Sequence, residues 1–142
     1  MEIVAKYKFS QTSLERLEGV HPLLIDISLK ILQYWDCKII YGLRSHAEQA
    51  RLYSEGLSKT MNSLHLKQED GYGHALDIAP YPIDWNDTNR FYYFAGIVKP
   101  IADDILKPHG WYLRWGGNWD GDLELNDQTF MDLVHFEIRR GG

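Results

Sequence analysis

The stretch Val134-His135-Phe136-Glu137-Ile138-Arg139 alternates apolar and polar side chains with a period of two. That period marks a β-strand with one face on a core. Val134, Phe136 and Ile138 share the apolar face, so His135 points away from the core between charged neighbours. The same test on residues 73–79 puts Leu76 and Ile78 on one face and Ala75, Asp77 and Ala79 on the other. An aspartate with alanine neighbours on a non-core face leaves room for a ligand or an ion beside the backbone.

Around these two strands the chain reads as alternating short elements. Thr12-Ser13-Leu14-Glu15 has the form of a capping box opening a short helix, and Pro22 suits the first turn of a longer one over 22–35. Leu24, Ile27, Ile31 and Trp35 then fall on one helical face. Residues 37–43 read as a buried strand, followed by a helix over 45–56 that Gly56 ends. Residues 57–72 form a polar loop. Asp87 caps a helix with Phe91, Phe94, Ile97, Ile101 and Ile105 at helical spacing, and Pro100 is expected to kink or split it. Residues 111–115 read as a third strand, and 116–130 as a loop. The sum is an α+β fold: a single domain, 1–142, with a small antiparallel sheet packed against helices.

The 142 residues are 44% hydrophobic and 25% charged, which excludes disordered and fibrous classes. A chain of this length buries a sufficient core without disulfides or structural metals, so a metal found here has a chemical role. Fifteen Lys and Arg against twenty Asp and Glu give a charge of −5. With no dense basic stripe, nucleic acid is excluded as a partner. No stretch has the length of a membrane span, and the opening MEIVAKYKFSQ lacks the apolar run of a signal peptide. The expectation is a soluble protein made without an export signal. Cys37, the single cysteine, sits in an apolar run and reads as a buried, inert thiol.

Ser63-Leu64-His65 in the polar loop adds a second histidine. A catalytic zinc site has three N or O ligands and an open position for water, and His65, Asp77 and His135 fill that requirement. Asp132, three residues before His135, is placed to serve as a base. On spacing alone, His135 and Asp77 read equally well as ordinary polar residues on strand faces.

The order of short words removes that ambiguity. Tyr41-Gly42-Leu43-Arg44-Ser45, Glu48-Gln49, Leu52-Tyr53, Ser63-x-His65, Gly73-x-Ala75-x-Asp77, Trp115-Gly116-Gly117-x-Trp119 and Asp132-x-x-His135-Phe136-Glu137 follow one another. In this order they resemble the zinc peptidases of the D-Ala-D-Ala carboxypeptidase and L-alanyl-D-glutamate endopeptidase family, phage endolysins among them. The resemblance implies the fold shared with the hedgehog signalling domain, one Zn²⁺ per chain on His65, Asp77 and His135, a catalytic carboxylate at Asp132, and Arg44 as a catalytic and substrate-binding cation. It extends to Ser63 and Trp115 as substrate-binding residues. Asp at position 132 resembles the endolysin branch.

The gap between His65 and Asp77 is longer than the family's usual spacing, and Lys67-Gln68-Glu69-Asp70-Gly71 reads as an insertion forming a mobile surface turn. His74 competes as first ligand. An odd separation along a strand puts it opposite Asp77, which favours His65. His21 reads as a helix-entry residue, His46 as a solvated helix position and His109 as a helix-end residue. Glu137 reads either as an acceptor orienting the His135 ring or as a surface carboxylate.

What the resemblance implies for function is a monomeric peptidoglycan hydrolase cutting the L-Ala–D-Glu bond of the stem peptide. As a phage lysis protein or a host wall-remodelling enzyme, it is expected to be made in the host cytoplasm without a signal peptide and to reach the wall through a holin-like partner or cell breakage. The alternatives are a D-Ala-D-Ala carboxypeptidase of the same family and a non-catalytic, zinc-containing wall-binding module. The retained Asp132 argues against the last, because a binding site has no use for a base beside its open position.

Overall fold

The computed structural model describes residues 6–58, 60–118 and 133–141. Helix α1 spans Gln11–Arg16 and is capped by Ser10, whose hydroxyl accepts the Ser13 N–H. The cap therefore falls two residues before Thr12, because Ser13 is buried inside the helix and engaged elsewhere. Its hydroxyl accepts the Ile39 N–H at 3.1 Å, while Arg16 donates to the Ile39 carbonyl at 2.9 Å. Ile39 lies in β1, Cys37–Tyr41, an edge strand, so α1 satisfies polar groups that an open edge would expose.

Helix α2, Pro22–Ile31, starts where expected and stops short of residue 35, its last turn tightening through a Tyr34 N–H to Ile31 carbonyl bond. Helix α3 covers His46–Ser54 with Ser45 as cap. Strand β2, Ala75–Pro80, is buried along its whole length. Helix α4, Thr88–Leu106, runs unbroken through Pro100. The carbonyl that proline leaves unbonded belongs to Gly96, and both residues are exposed, so water replaces the lost bond. The stripe turned to the sheet is Phe91, Phe94, Val98, Ala102 and Leu106; Ile97, Ile101 and Ile105 flank it half-buried. A short 3₁₀ turn precedes β3, Trp111–Trp115, and β4 is His135–Arg140.

The four strands form one antiparallel sheet in the order β1-β2-β4-β3, an α+β arrangement as expected. Leu76, Ile78, Phe136, Ile138 and Leu113 meet α2 and α4 in the core. The other face of β2 and β4 carries Ala75, Asp77, His135 and Glu137.

Two glycines test how tightly this frame is set. A Cβ on Gly42, just past β1, would lie 1.8 Å from the Arg16 carbonyl oxygen, whereas one on Gly96 would meet nothing within 4 Å. Gly42→Ala is expected to destabilise by at least about 2 kcal/mol through overpacking against backbone. Gly96→Ala is expected to stabilise by roughly 0.5–1 kcal/mol through helix propensity. Urea unfolding of the two variants checks this; equal effects would show that α1 does not sit against Gly42 as described.

Candidate active site

The register of the sheet puts Tyr41, Asp77 and His135 side by side on adjacent strands. His65 joins them from the polar loop. The Ser63 hydroxyl accepts the His65 N–H, the Arg44 N–H bonds the His65 carbonyl at 2.8 Å, and the His74 N–H bonds the Leu64 carbonyl at 2.8 Å. Gly73 permits the passage, since a Cβ there would sit 3.2 Å from the His65 carbonyl oxygen.

Three atoms converge. His65 Nε2, Asp77 Oδ1 and His135 Nδ1 lie 3.2 Å from one another on all three sides. His65 Nδ1 donates to the Gly42 carbonyl at 2.8 Å, and His135 Nε2 donates to Glu137 Oε1 at 2.9 Å. In the neutral rings, therefore, both inward nitrogens present lone pairs toward an aspartate oxygen. Three acceptors facing one point repel unless a cation sits among them. An ion about 2.0–2.1 Å from each donor in tetrahedral geometry needs donor separations of about 3.3 Å, which the observed triangle fits.

Without a metal, a proton on His135 takes the place of the cation and is donated to Asp77. Burial pushes the Asp77 carboxyl up, yet His65 and His135 overcome it and hold the group well below the usual carboxylate range. Burial works against the His135 cation, but hydrogen bonds to Asp77 and Glu137 prevail and raise its pKa to about 9. Glu137 is buried, and after the opposing cost of burial, His135 and Arg139 keep it ionised. It is thus the acceptor that orients His135 and not a surface carboxylate.

Arg44 lies beside this group, its guanidinium 4.5 Å over the Tyr41 ring, which in turn meets the His65 ring edge-on at 5.7 Å. Its Nη1 donates to the fully buried Gln49 at 2.8 Å, and Gln49 is held by Ser58 and the Thr60 carbonyl. The Arg44 Nε is buried with no partner among the described residues. The Ser63 hydroxyl is spent on the turn that presents His65. Trp115 shares the parity of Leu113, donates its indole N–H to the Leu133 carbonyl at 2.8 Å and packs on Tyr92. Asp132 lies outside the described residues, as does Trp119. Tyr41, Gly42 and Gln49 stand in the short words quoted above, but their supporting parts here come from contacts with other segments.

A second group that could hold a metal, His21, Asp70 and His74, behaves differently. Asp70 Oδ2 is 2.7 Å from His74 Nε2 and 3.7 Å from His21 Nε2. His21 Nδ1 accepts the Leu23 N–H as the cap of α2, so the neutral ring carries its proton on Nε2, toward Asp70. Donated protons already satisfy that carboxylate. His74 is therefore separate from Asp77, as strand parity required, and the 67–71 turn lies on the surface with Asp70 tied down.

Two imidazoles and one carboxylate, with His135 the most exposed of the three, make a donor set that could hold a metal ion. The family model for phage L-alanyl-D-glutamate peptidases matches residues 5–139, and the chain belongs to that family and is a peptidase. It is similar to the crystal structure of the Serratia marcescens L-Ala D-Glu endopeptidase ChiX, at 28% identity and TM-score 0.71, over 94% of this chain and 92% of that one. A second solved structure is the vancomycin-resistance D,D-dipeptidase VanXYg with a D-Ala-D-Ala phosphinate analogue, at 19% identity and TM-score 0.36, over 81% of this chain and 47% of that one.

The raised pKa of His135 has a signed consequence in metal-free protein. Its proton contributes stability in full below the unfolded value of 6.5 and loses that contribution as pH rises through about 9. The thermal midpoint of chelator-treated protein should therefore fall across this window, and Glu137→Gln should shrink the fall. A flat midpoint in the parent protein would show that the His135–Asp77 pair does not hold the proton.

Proposed function

We propose that the chain is a zinc-dependent endopeptidase of peptidoglycan that cuts the L-Ala–D-Glu bond of the stem peptide. The observation that carries the metal is the equilateral set of His65 Nε2, Asp77 Oδ1 and His135 Nδ1, each ring turned by a bond at its far nitrogen. The bond specificity is supported by the family and by the similarity to ChiX over nearly the whole of both chains.

Zinc, when bound, supplies a Lewis acid and a water whose pKa is lowered to about 7. The residues of the chain do the remainder. Asp132, three positions before His135 in sequence, takes the proton of the attacking water and returns it to the leaving amine. Arg44, a cation that does not deprotonate, lies beside the site and places a fixed positive charge near the oxyanion that develops on the scissile carbonyl. Gln49 fixes the guanidinium by accepting from Nη1. A D-Ala-D-Ala carboxypeptidase would use the same cation to anchor a free carboxylate; the likeness to ChiX favours the endopeptidase.

Single changes of His65, Asp77 or His135 to Ala are expected to abolish both zinc binding and hydrolysis of purified peptidoglycan, while His74→Ala keeps both. Zinc loss in His74→Ala with retention in His65→Ala would overturn the ligand set. Asp132→Asn is expected to keep one zinc and lose roughly 10²–10⁴-fold in kcat, as for a positioned general base. An empty site in that variant, by metal analysis, would make Asp132 a ligand.

A further inference from the structure

Strand β1 falls out of step with β2 at one point. Cys37, Lys38 and Ile39 oppose Pro80, Ala79 and Ile78 in turn, but the partner of Asp77 is Tyr41 and not Ile40. One extra residue, a bulge, therefore lies between Ile39 and Tyr41. Unbroken pairing would put Tyr41 opposite Leu76, on the face that packs against α2 and α4. The bulge turns it to the other face beside Asp77, and leaves Ile40 against the small cluster of Ala79, Phe91, Leu133 and Val134. A bulge disrupts the ladder locally, and bulges recur beside active sites, where they re-aim a side chain.

The re-aimed ring has both its edge and its face in use. The edge meets the His65 ring, with centroids 5.7 Å apart and an interplanar angle of 70°. The face carries the Arg44 guanidinium, 4.5 Å from the centroid. Arg44 is short of hydrogen bonds: Nη1 reaches Gln49, while Nε is buried and has no partner among the described residues. A buried donor without an acceptor is costly, and the electron-rich face of Tyr41 is what stands against this cation. A planar guanidinium stacks on such a face, which a lysine ammonium does not. The hydroxyl takes no part in either contact. It lies toward Glu48 on α3, whose carboxyl is held below its usual range by Arg51 first and by Tyr41 and Arg44 in smaller part.

Resting on the role given to Arg44 above, we infer that Tyr41 is a positioning residue: the bulge sets its ring against both His65 and Arg44, so that the cation stands at a fixed place beside the metal ligands. Gln49 fixes one nitrogen of the guanidinium, and Tyr41 fixes its plane. Without the ring, the guanidinium keeps one hydrogen bond and turns about it. A displacement of about 1 Å at such a site costs on the order of a hundredfold in rate.

Two measurements test this, one of them without substrate or metal. In protein carrying isotope-labelled arginine, the Arg44 Nε–Hε resonance is assigned by its loss in Arg44→Lys. It is expected to be shifted by the Tyr41 ring current and slow to exchange with water. Tyr41→Leu should remove the shift, and Tyr41→Phe, which retains the ring, should keep it. A parent resonance at the ordinary arginine position, or one unchanged in Tyr41→Leu, would overturn the inference. In zinc-loaded protein acting on purified peptidoglycan, Tyr41→Leu is expected to lower kcat about tenfold to a hundredfold with KM and zinc content unchanged, and Tyr41→Phe to restore it. The losses in Tyr41→Leu and Arg44→Lys should not multiply in the double variant, because both act through one guanidinium. Losses that multiply would make Tyr41 a packing residue and contradict the inference. Absence of cleavage by the parent protein would instead overturn the function proposed above, while the resonance still decides whether the ring holds Arg44.

Discussion

Three lone pairs held 3.2 Å apart are the constraint around which the chain is organised. Left to themselves these acceptors would separate or share protons, and the fold prevents the separation from two directions. The His65 ring is turned by the Gly42 carbonyl, whose own position depends on α1 passing so close that only glycine fits. The His135 ring is turned by Glu137, a buried carboxylate kept ionised by Arg139 from the next position on the same face. Backbone geometry at one end and an ion-paired strand at the other thus fix two ring orientations, and β2 between them delivers Asp77. The bonds behind the ligands are as much a part of such a centre as the ligands.

The architecture separates stability from chemistry by strand parity. Leu76, Ile78, Phe136 and Ile138 join α2 and α4 in the core, while the intervening residues face the site. Burying Asp77 and Glu137 is costly unless each is paired, and each has at least one histidine hydrogen-bonded to it. Ala79, two residues beyond Asp77, packs with Phe91, Leu133 and Val134.

Parity is also why much of the site can be read in the sequence. A period of two assigns His135 and Asp77 to the same side of their strands and sets His74 apart without any coordinates. His65 sits in a loop, where no periodicity speaks, and only the order of short motifs points to it. Gly42 and Gln49 stand in those motifs, but what makes them necessary, the Arg16 carbonyl and the Arg44 side chain, shows only in the fold. The same limit explains smaller differences. Thr12 has the right neighbours for a cap, but Ser13 is claimed by the edge of β1. Pro100 has the chemistry of a breaker, but its unbonded partner carbonyl faces water. In α4 the isoleucines outscore Ala102 in hydrophobicity, yet the alanine lies on the line of closest approach to the sheet.

The His65–Asp77–His135 triangle is proposed to hold one divalent cation, whereas Asp70 in the His21–Asp70–His74 group already accepts from His74 and the Tyr72 N–H. Anomalous diffraction at the zinc edge from crystals of zinc-loaded protein tests both halves at once. The account predicts one peak per chain, bonded to His65 Nε2, Asp77 Oδ1 and His135 Nδ1, with no comparable peak beside Asp70. A peak between His21 and His74 with the first triangle empty would contradict it.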